Sequence, residues 1–157
     1  MNKKPKIHII DPVSNMVDVW RLFRSSIINE KWDYPSLRET HEDDMRAHVI
    51  GYVIQNPNFF GMMARIGKKP IGQIIGSSMI REIGSPKNYF FIYNFWIEPD
   101  HRKSGAMKEL WATFMEELKK RGIFNWEANC SEKLKTFLLD YKGYETKLLN
   151  YRVGGKV

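Results

Sequence analysis

Arg102, Lys103 and Gly105 stand together in the stretch Asp100-His101-Arg102-Lys103-Ser104-Gly105-Ala106-Met107. An apolar run, Phe90–Ile97, leads into it, and a periodic helix is expected beyond it from about Gly105 to Lys120. A strand that enters a helix through a short basic turn leaves backbone N–H groups free at the positive end of the helix dipole. That arrangement suits a phosphate. The N–H groups of about Arg102 to Met107 can face one anion, Gly105 permits close backbone approach, and Arg102 and Lys103 add full charges. A pyrophosphate has the right size for such a nest. The plainer alternative is an ordinary strand-to-helix connection with solvated charges.

Other reactive residue types are sparse. Cys130 is the single cysteine, so no intrachain disulfide forms, and no His/Asp constellation accompanies it as a nucleophile. It reads as a small buried residue. His101 flanks the basic turn. His8, His41 and His48 show no ligand spacing with Cys or His, so no metal is expected.

The elements that must position these residues follow from periodicity. Lys6–Ile10 reads as a strand, ended by Asp11-Pro12, with Ser14 as a helix cap. Met16, Val17, Trp20, Phe23 and Ile27 recur at helical spacing. After the break Asn29–Pro35, Ser36 or Thr40 is expected to open a second helix with Met45, Val49, Ile50 and Val53 inside. Phe59–Ile66 and Ile71–Arg81 flank the hairpin signal Gly67-Lys68-Lys69-Pro70. Beyond the turn Gly84–Asn88, Tyr89–Ile97 is apolar on both faces and belongs in the middle of a sheet. Met107, Leu110, Trp111, Phe114, Met115 and Leu118 make one continuous helical stripe, closed by Lys119-Lys120-Arg121-Gly122. Phe124–Cys130 reads as a strand, Glu132–Asp140 as a helix capped by Ser131, and Glu145–Val153 as a last strand.

The order is β-α-α-β-β-β-α-β-α-β, with no internal repeat, and predicts one mixed α/β domain spanning residues 1–157 with helices on both faces of the sheet. No apolar run reaches the roughly 18–20 residues of a membrane span, and the basic start is not a signal peptide; a cytoplasmic setting fits. Net charge is +7, from 25 basic and 18 acidic residues. It fits either a solvated surface with a site for an anionic cofactor or a polyanionic partner such as nucleic acid.

The element order and the segment Asn94–Leu118 together resemble the GNAT superfamily of N-acetyltransferases. The family's signature is Arg or Gln, two residues, Gly, one residue, then Gly or Ala, after a strand with an aliphatic end and a following proline. Ile97, Pro99, Arg102 and Gly105 fall into that pattern, and Leu110 continues it. Met107 stands where the final Gly or Ala is expected, and either crowds the ligand or turns inward with the apolar stripe. The resemblance implies a GNAT-like fold with a central, mostly antiparallel sheet, and transfer of an acetyl group from acetyl-CoA to an amine. It assigns the cofactor to Phe95, Trp96, Ile97, Arg102, Lys103, Ser104, Gly105, Ala106 and Met107. The strand before the loop would splay from the next one, and the pantetheine arm would add to its open edge near Phe95–Ile97.

The chemistry implied needs a neutral amine, a polarised thioester and a protonated leaving thiolate. The family's Glu base on the central strand corresponds to Asn94, which cannot take up a proton but can align a water or the amine; its other reading is a hydrogen-bonded amide in an apolar strand. Glu127 on the next strand is an alternative base or else a surface carboxylate. Leu139 occupies the usual place of the Tyr acid, and Tyr141 lies two residues on, about 200° around a helix. Tyr141 is the remaining candidate acid, or a packing tyrosine. On the acceptor side, Asn29–Pro35 carries two aromatics and two carboxylates, which suits a cationic amine. The basic segment Lys147–Arg152 leaves room for a nucleic-acid-linked amine. Two further readings stay open: a family-like domain that binds acyl-CoA or a protein without turnover, and assembly as a homodimer.

Overall fold

The computed structural model describes residues 5–11, 13–30, 41–80, 88–129, 132–140, 144–146 and 152–156. In chain order its elements are β1 (Lys6–Ile10), α1 (Met16–Glu30), α2 (Glu42–Gln55), β2 (Phe59–Ile66), β3 (Lys69–Ile80) and β4 (Asn88–Ile97). A 3-10 helix (Pro99–Ser104), α3 (Ala106–Lys120), β5 (Asn125–Asn129), α4 (Glu132–Asp140), β6 (Tyr144–Thr146) and β7 (Arg152–Lys156) follow. The strands form one sheet in the order β1-β2-β3-β4-β5-β7-β6. Every neighbouring pair is antiparallel except β4 with β5. This is the mixed, mostly antiparallel sheet expected, with the apolar strand β4 at its middle.

Each face of the sheet carries its own core. On one, Phe90, Ile92, Phe95 and Ile97 of β4 meet Ala106, Leu110, Trp111, Phe114 and Leu118 of α3 and Leu138 of α4. Aromatic contacts fill this layer: the Trp111 ring stacks 5.6 Å from Phe95 and meets Trp126 edge-to-face at 5.0 Å, centre to centre. On the other face, Val19 and Leu22 of α1 and Val53 of α2 pack on Phe59, Met63, Ile75 and Trp96.

The stripe read in the sequence is the buried side of α3. Its C-terminal end is closed by Gly122 at φ +71. The Ile123 N–H reaches the Leu118 carbonyl at 2.9 Å and the Gly122 N–H reaches Lys119 at 2.9 Å, the paired bonds of a Schellman ending.

Two expectations are corrected. His41, in extended conformation, is the N-cap of α2, so that helix opens after both Ser36 and Thr40, which lie outside the described residues. Glu145–Val153 is not one strand: Glu145 pairs antiparallel with Val153, so the chain reverses between them. No Gly or Pro between Lys147 and Tyr151 marks that reversal. The turn expected between β3 and β4 also falls largely on undescribed residues, 81–87.

Strand β4 carries a bulge. Ile75 pairs with Asn94 and Gly76 with Ile92, which leaves Tyr93 as an extra residue. The extra residue switches the alternation, so Phe90 and Ile92, then Phe95 and Ile97, share one face. Gly76 sits opposite, and a Cβ there would run into the Phe91 carbonyl. Gly76→Ala is therefore expected to destabilise the protein by about 3 kcal/mol, the upper end of ordinary over-packing, as read by urea unfolding.

Candidate functional site

The bulge lies where two strands part. β4 and β5 run parallel in register from Tyr89 with Asn125 to Ile92 with Ala128. β4 continues to Ile97 on its β3 side, where Ile97 pairs with Gly72. Among the described residues, its other edge has no neighbouring strand from Tyr93 onward. The Glu98 N–H donates to the Ile71 carbonyl at 2.8 Å, on the β3 side. Backbone groups alternate sides along a strand, so the N–H and C=O of Phe95 and Ile97 point to the open edge. The side chains of Phe95, Trp96 and Ile97 are buried, so only their backbone can meet a ligand there.

The expected basic turn begins at the end of this edge. Pro99–Ser104 winds as a 3-10 helix, in which amides bond carbonyls three residues back, as His101 does to Glu98 at 2.9 Å. Ser104 Oγ donates to the His101 carbonyl at 2.6 Å and accepts from the Ala106 N–H at 3.3 Å. Gly105 then takes φ +81 and ψ −5, a left-handed turn that L side chains rarely adopt. The first α-helical bond runs from the Glu109 N–H to the Gly105 carbonyl at 3.1 Å, so the Met107 and Lys108 amides precede any intrahelical partner. These two amides lie within the stretch from Arg102 to Met107 and just beyond it, where the expected nest falls. Lys103, Ser104 and Gly105 are exposed around them, and Met107 turns inward against the α3 core.

Arg102 folds back over the edge. Its Nε donates to the Ile97 carbonyl at 3.2 Å, and its guanidinium carbon lies 4.5 Å from the centre of the Trp96 ring. At the same end Ser25 of α1 donates to Glu98 at 2.7 Å.

Asn94 is buried, and both ends of its amide are occupied. Its Oδ1 accepts from Gln73 Nε2 at 2.8 Å, and its Nδ2 donates to Ser26 Oγ at 2.9 Å. Gln73 Nε2 also reaches the Val19 carbonyl at 3.2 Å, and Ser26 Oγ donates to Phe23 at 2.7 Å. The network ties α1 to β3 and β4. Glu127 is not at the surface; it is buried on β5, registered between Phe91 and Gly154. Tyr141 and Cys130 lie outside the described residues. No group of His, Cys, Asp or Glu among the described residues has the grouping of a metal site.

Sequence reasoning missed Tyr93 and Tyr52. Their hydroxyls are hydrogen-bonded to each other. Ser77 Oγ approaches Tyr93 Oη at 3.3 Å, and Asn56 Nδ2 donates to Tyr52 Oη at 3.2 Å. Burial pushes the Tyr93 phenol up to about 12; the Ser77 hydrogen bond opposes that rise and the Tyr52 hydroxyl adds to it. The signal available was the alternation Tyr89, Phe91, Tyr93, which marks one face of the strand.

The chain matches the family described as acetyltransferase (GNAT) family over residues 24–133. No curated protein matches it in sequence. Among solved structures it is similar to a GCN5-related N-acetyltransferase from Ralstonia eutropha JMP134, with TM-score 0.75, 17% identity, and coverage of 93% of this chain and 96% of that one. A predicted acetyltransferase from Clostridium acetobutylicum, solved with acetyl-CoA, gives TM-score 0.74 at 14% identity over 92% and 93% of the two chains. PaiA N-acetyltransferase from Thermoplasma acidophilum, in complex with coenzyme A, gives 0.69 at 13% identity over 97% and 99%.

Tyr93 allows a test of the geometry at the bulge. A phenol whose pKa rises on folding, here from 10.0 to about 12, adds stability that is present below the lower value and lost as pH climbs through the upper one. Unfolding of the native protein and of Tyr93→Phe, followed across that alkaline window, should show the steeper loss in the native protein.

Proposed function

Because the chain belongs to the acetyltransferase (GNAT) family, we propose that it is an acyl-CoA-dependent N-acyltransferase that moves an acetyl group from acetyl-CoA to a primary amine. The observation that carries this reading is the meeting of an open strand edge with the positive start of α3. Such an edge accepts an extended, amide-bearing chain as an added strand. A helix start with free amides accepts a phosphate. The backbone of Phe95 and Ile97 would hold the pantetheine arm, and the Met107 and Lys108 amides beside Gly105 the pyrophosphate. A Cβ at Gly105 would meet nothing within 4 Å, so the space beside that turn is open.

In a ternary complex the amine nitrogen attacks the thioester carbon. The C–N bond forms as the C–S bond breaks, the nitrogen loses a proton, and the thiolate of CoA leaves. Glu127 is the candidate acceptor of that proton, and Tyr141 is the candidate donor to the thiolate. Asn94 serves by fixing α1 against the bulge, since both ends of its amide are already bonded. Positioning of the two reactants supplies much of the acceleration.

The engaged amide of Asn94 favours a second reading, a domain that binds acyl-CoA without turnover. A net charge of +7 also keeps a nucleic-acid-linked amine among the acceptors to be tried.

Titration calorimetry is expected to give acetyl-CoA binding with a dissociation constant below about 1 mM. Gly105→Glu sets a carboxylate against the helix start and should abolish that binding. Gly105→Ala carries the left-handed strain without the charge and should retain part of it. Unchanged affinity in the Glu variant would show that the turn does not hold the cofactor. Release of free thiol with an amine panel separates turnover from binding alone.

A further inference from the structure

Tyr89, Phe91 and Tyr93 project from one face of β4 and are half-buried, whereas Phe90 and Ile92 on the opposite face are 0% and 2% exposed. A strand at the middle of a sheet is ordinarily covered on the face where it carries aromatics, so a half-open aromatic row marks a contact surface. On β3, Met79 and Ser77 stand in register with Tyr89 and Phe91 and extend the row. Tyr52 reaches over from α2, 39% exposed, with its ring edge-on 5.2 Å from Tyr93. Tyr93 lies 4.9 Å from Phe91 and 6.1 Å from Phe59, ring centre to ring centre.

We infer that this row receives the acceptor, and that the acceptor is a primary amine carried on an aromatic or otherwise apolar body, with Tyr52 and Tyr93 setting that preference. The inference rests on the acyltransferase reading and names the substrate class of its second site. The row ends at the bulge, where β4 leaves β5 and its backbone edge opens. A body laid along Tyr89, Phe91 and Tyr93 thus carries its amine to the parting of the strands. Ring faces and edges favour stacking with a flat or apolar body, and they attract an arriving ammonium.

Polarity at this surface comes from hydroxyls and one buried carboxylate. Ser77, Tyr52 and Tyr89 act on the Tyr93 phenol, and Glu127 of β5, in register with Phe91, sets one buried carboxylate beside the row. The Tyr52 and Tyr93 hydroxyls can direct one nitrogen. That single carboxylate can answer one ammonium; a polycation would leave its further ammoniums without a counter-charge among the row's aromatic and hydroxyl groups.

The test measures thiol release by the full chain at saturating acetyl-CoA, with 2-phenylethylamine and with spermidine. The native protein should favour 2-phenylethylamine by at least about tenfold in kcat/KM. Tyr52→Ala should cut that ratio about fivefold or more, through KM for the aromatic amine, while Tyr52→Phe keeps the ring and most of the ratio. Equal or better use of spermidine, no turnover of either amine with acetyl-CoA bound, or an unaltered ratio in Tyr52→Ala overturns the inference. Calorimetry with acetyl-CoA and thiol release with a broad amine panel separate this from failure of the acyltransferase reading, which is marked in the native protein by no cofactor binding or by no turnover of any amine.

Discussion

The site depends on one constraint in β4: the strand must stay bonded to β3 to its end while it leaves β5 after Ile92. A strand bonded on both sides would have no backbone groups left for a ligand. A strand bonded on neither side would not hold its shape. The bulge at Tyr93 marks the change from two neighbours to one, and Gly76 on β3 makes room for it. The opened edge then shows the backbone of Phe95 and Ile97 while their side chains stay in the α3 core.

Buried polar groups on the other face hold this geometry in place. Asn94, Gln73 and Ser26 bond one another and the α1 backbone in a region otherwise lined by Val19, Leu22 and Trp96. Buried amides without partners are costly, so the network specifies how α1 seats on the sheet. Residues that look ready for chemistry in the sequence also make structural contacts here. Arg102 is likewise drawn over Trp96 and onto the Ile97 carbonyl rather than extended into solvent.

Much of the fold was legible because its elements obey simple periods. The α3 stripe, the Gly67–Pro70 hairpin and the doubly apolar β4 each follow from side-chain spacing alone. The reversal between Glu145 and Val153 was not legible, because no glycine or proline announces it. The start of α2 escaped for a related reason: Ser36 and Thr40 are good capping residues, yet His41 holds that position without a side-chain cap bond. At the site, Gly105 could be read from its type, since a left-handed turn before a helix favours glycine. The 3-10 winding of Pro99–Ser104 could not, and it determines which amides remain free. The bulge was also invisible, because an extra residue in an unbroken apolar run leaves no mark on composition. Without it, the alternation places Asn94 on the α3 face and hides its partners on α1.

Helix α3 is finished at one end and unfinished at the other. At its C-terminal end, the carbonyls are capped by Gly122 and Ile123, cations sit in the last turn, and Arg121 lies 4.1 Å over the Phe60 ring. At its start, amides stand without intrahelical partners behind a single left-handed glycine. The helix is thus a one-ended electrode, grounded in the core at Ile123 and live at Gly105. Its field extends beyond the reach of hydrogen bonds, so these amides also bias the path of any anion that approaches that end.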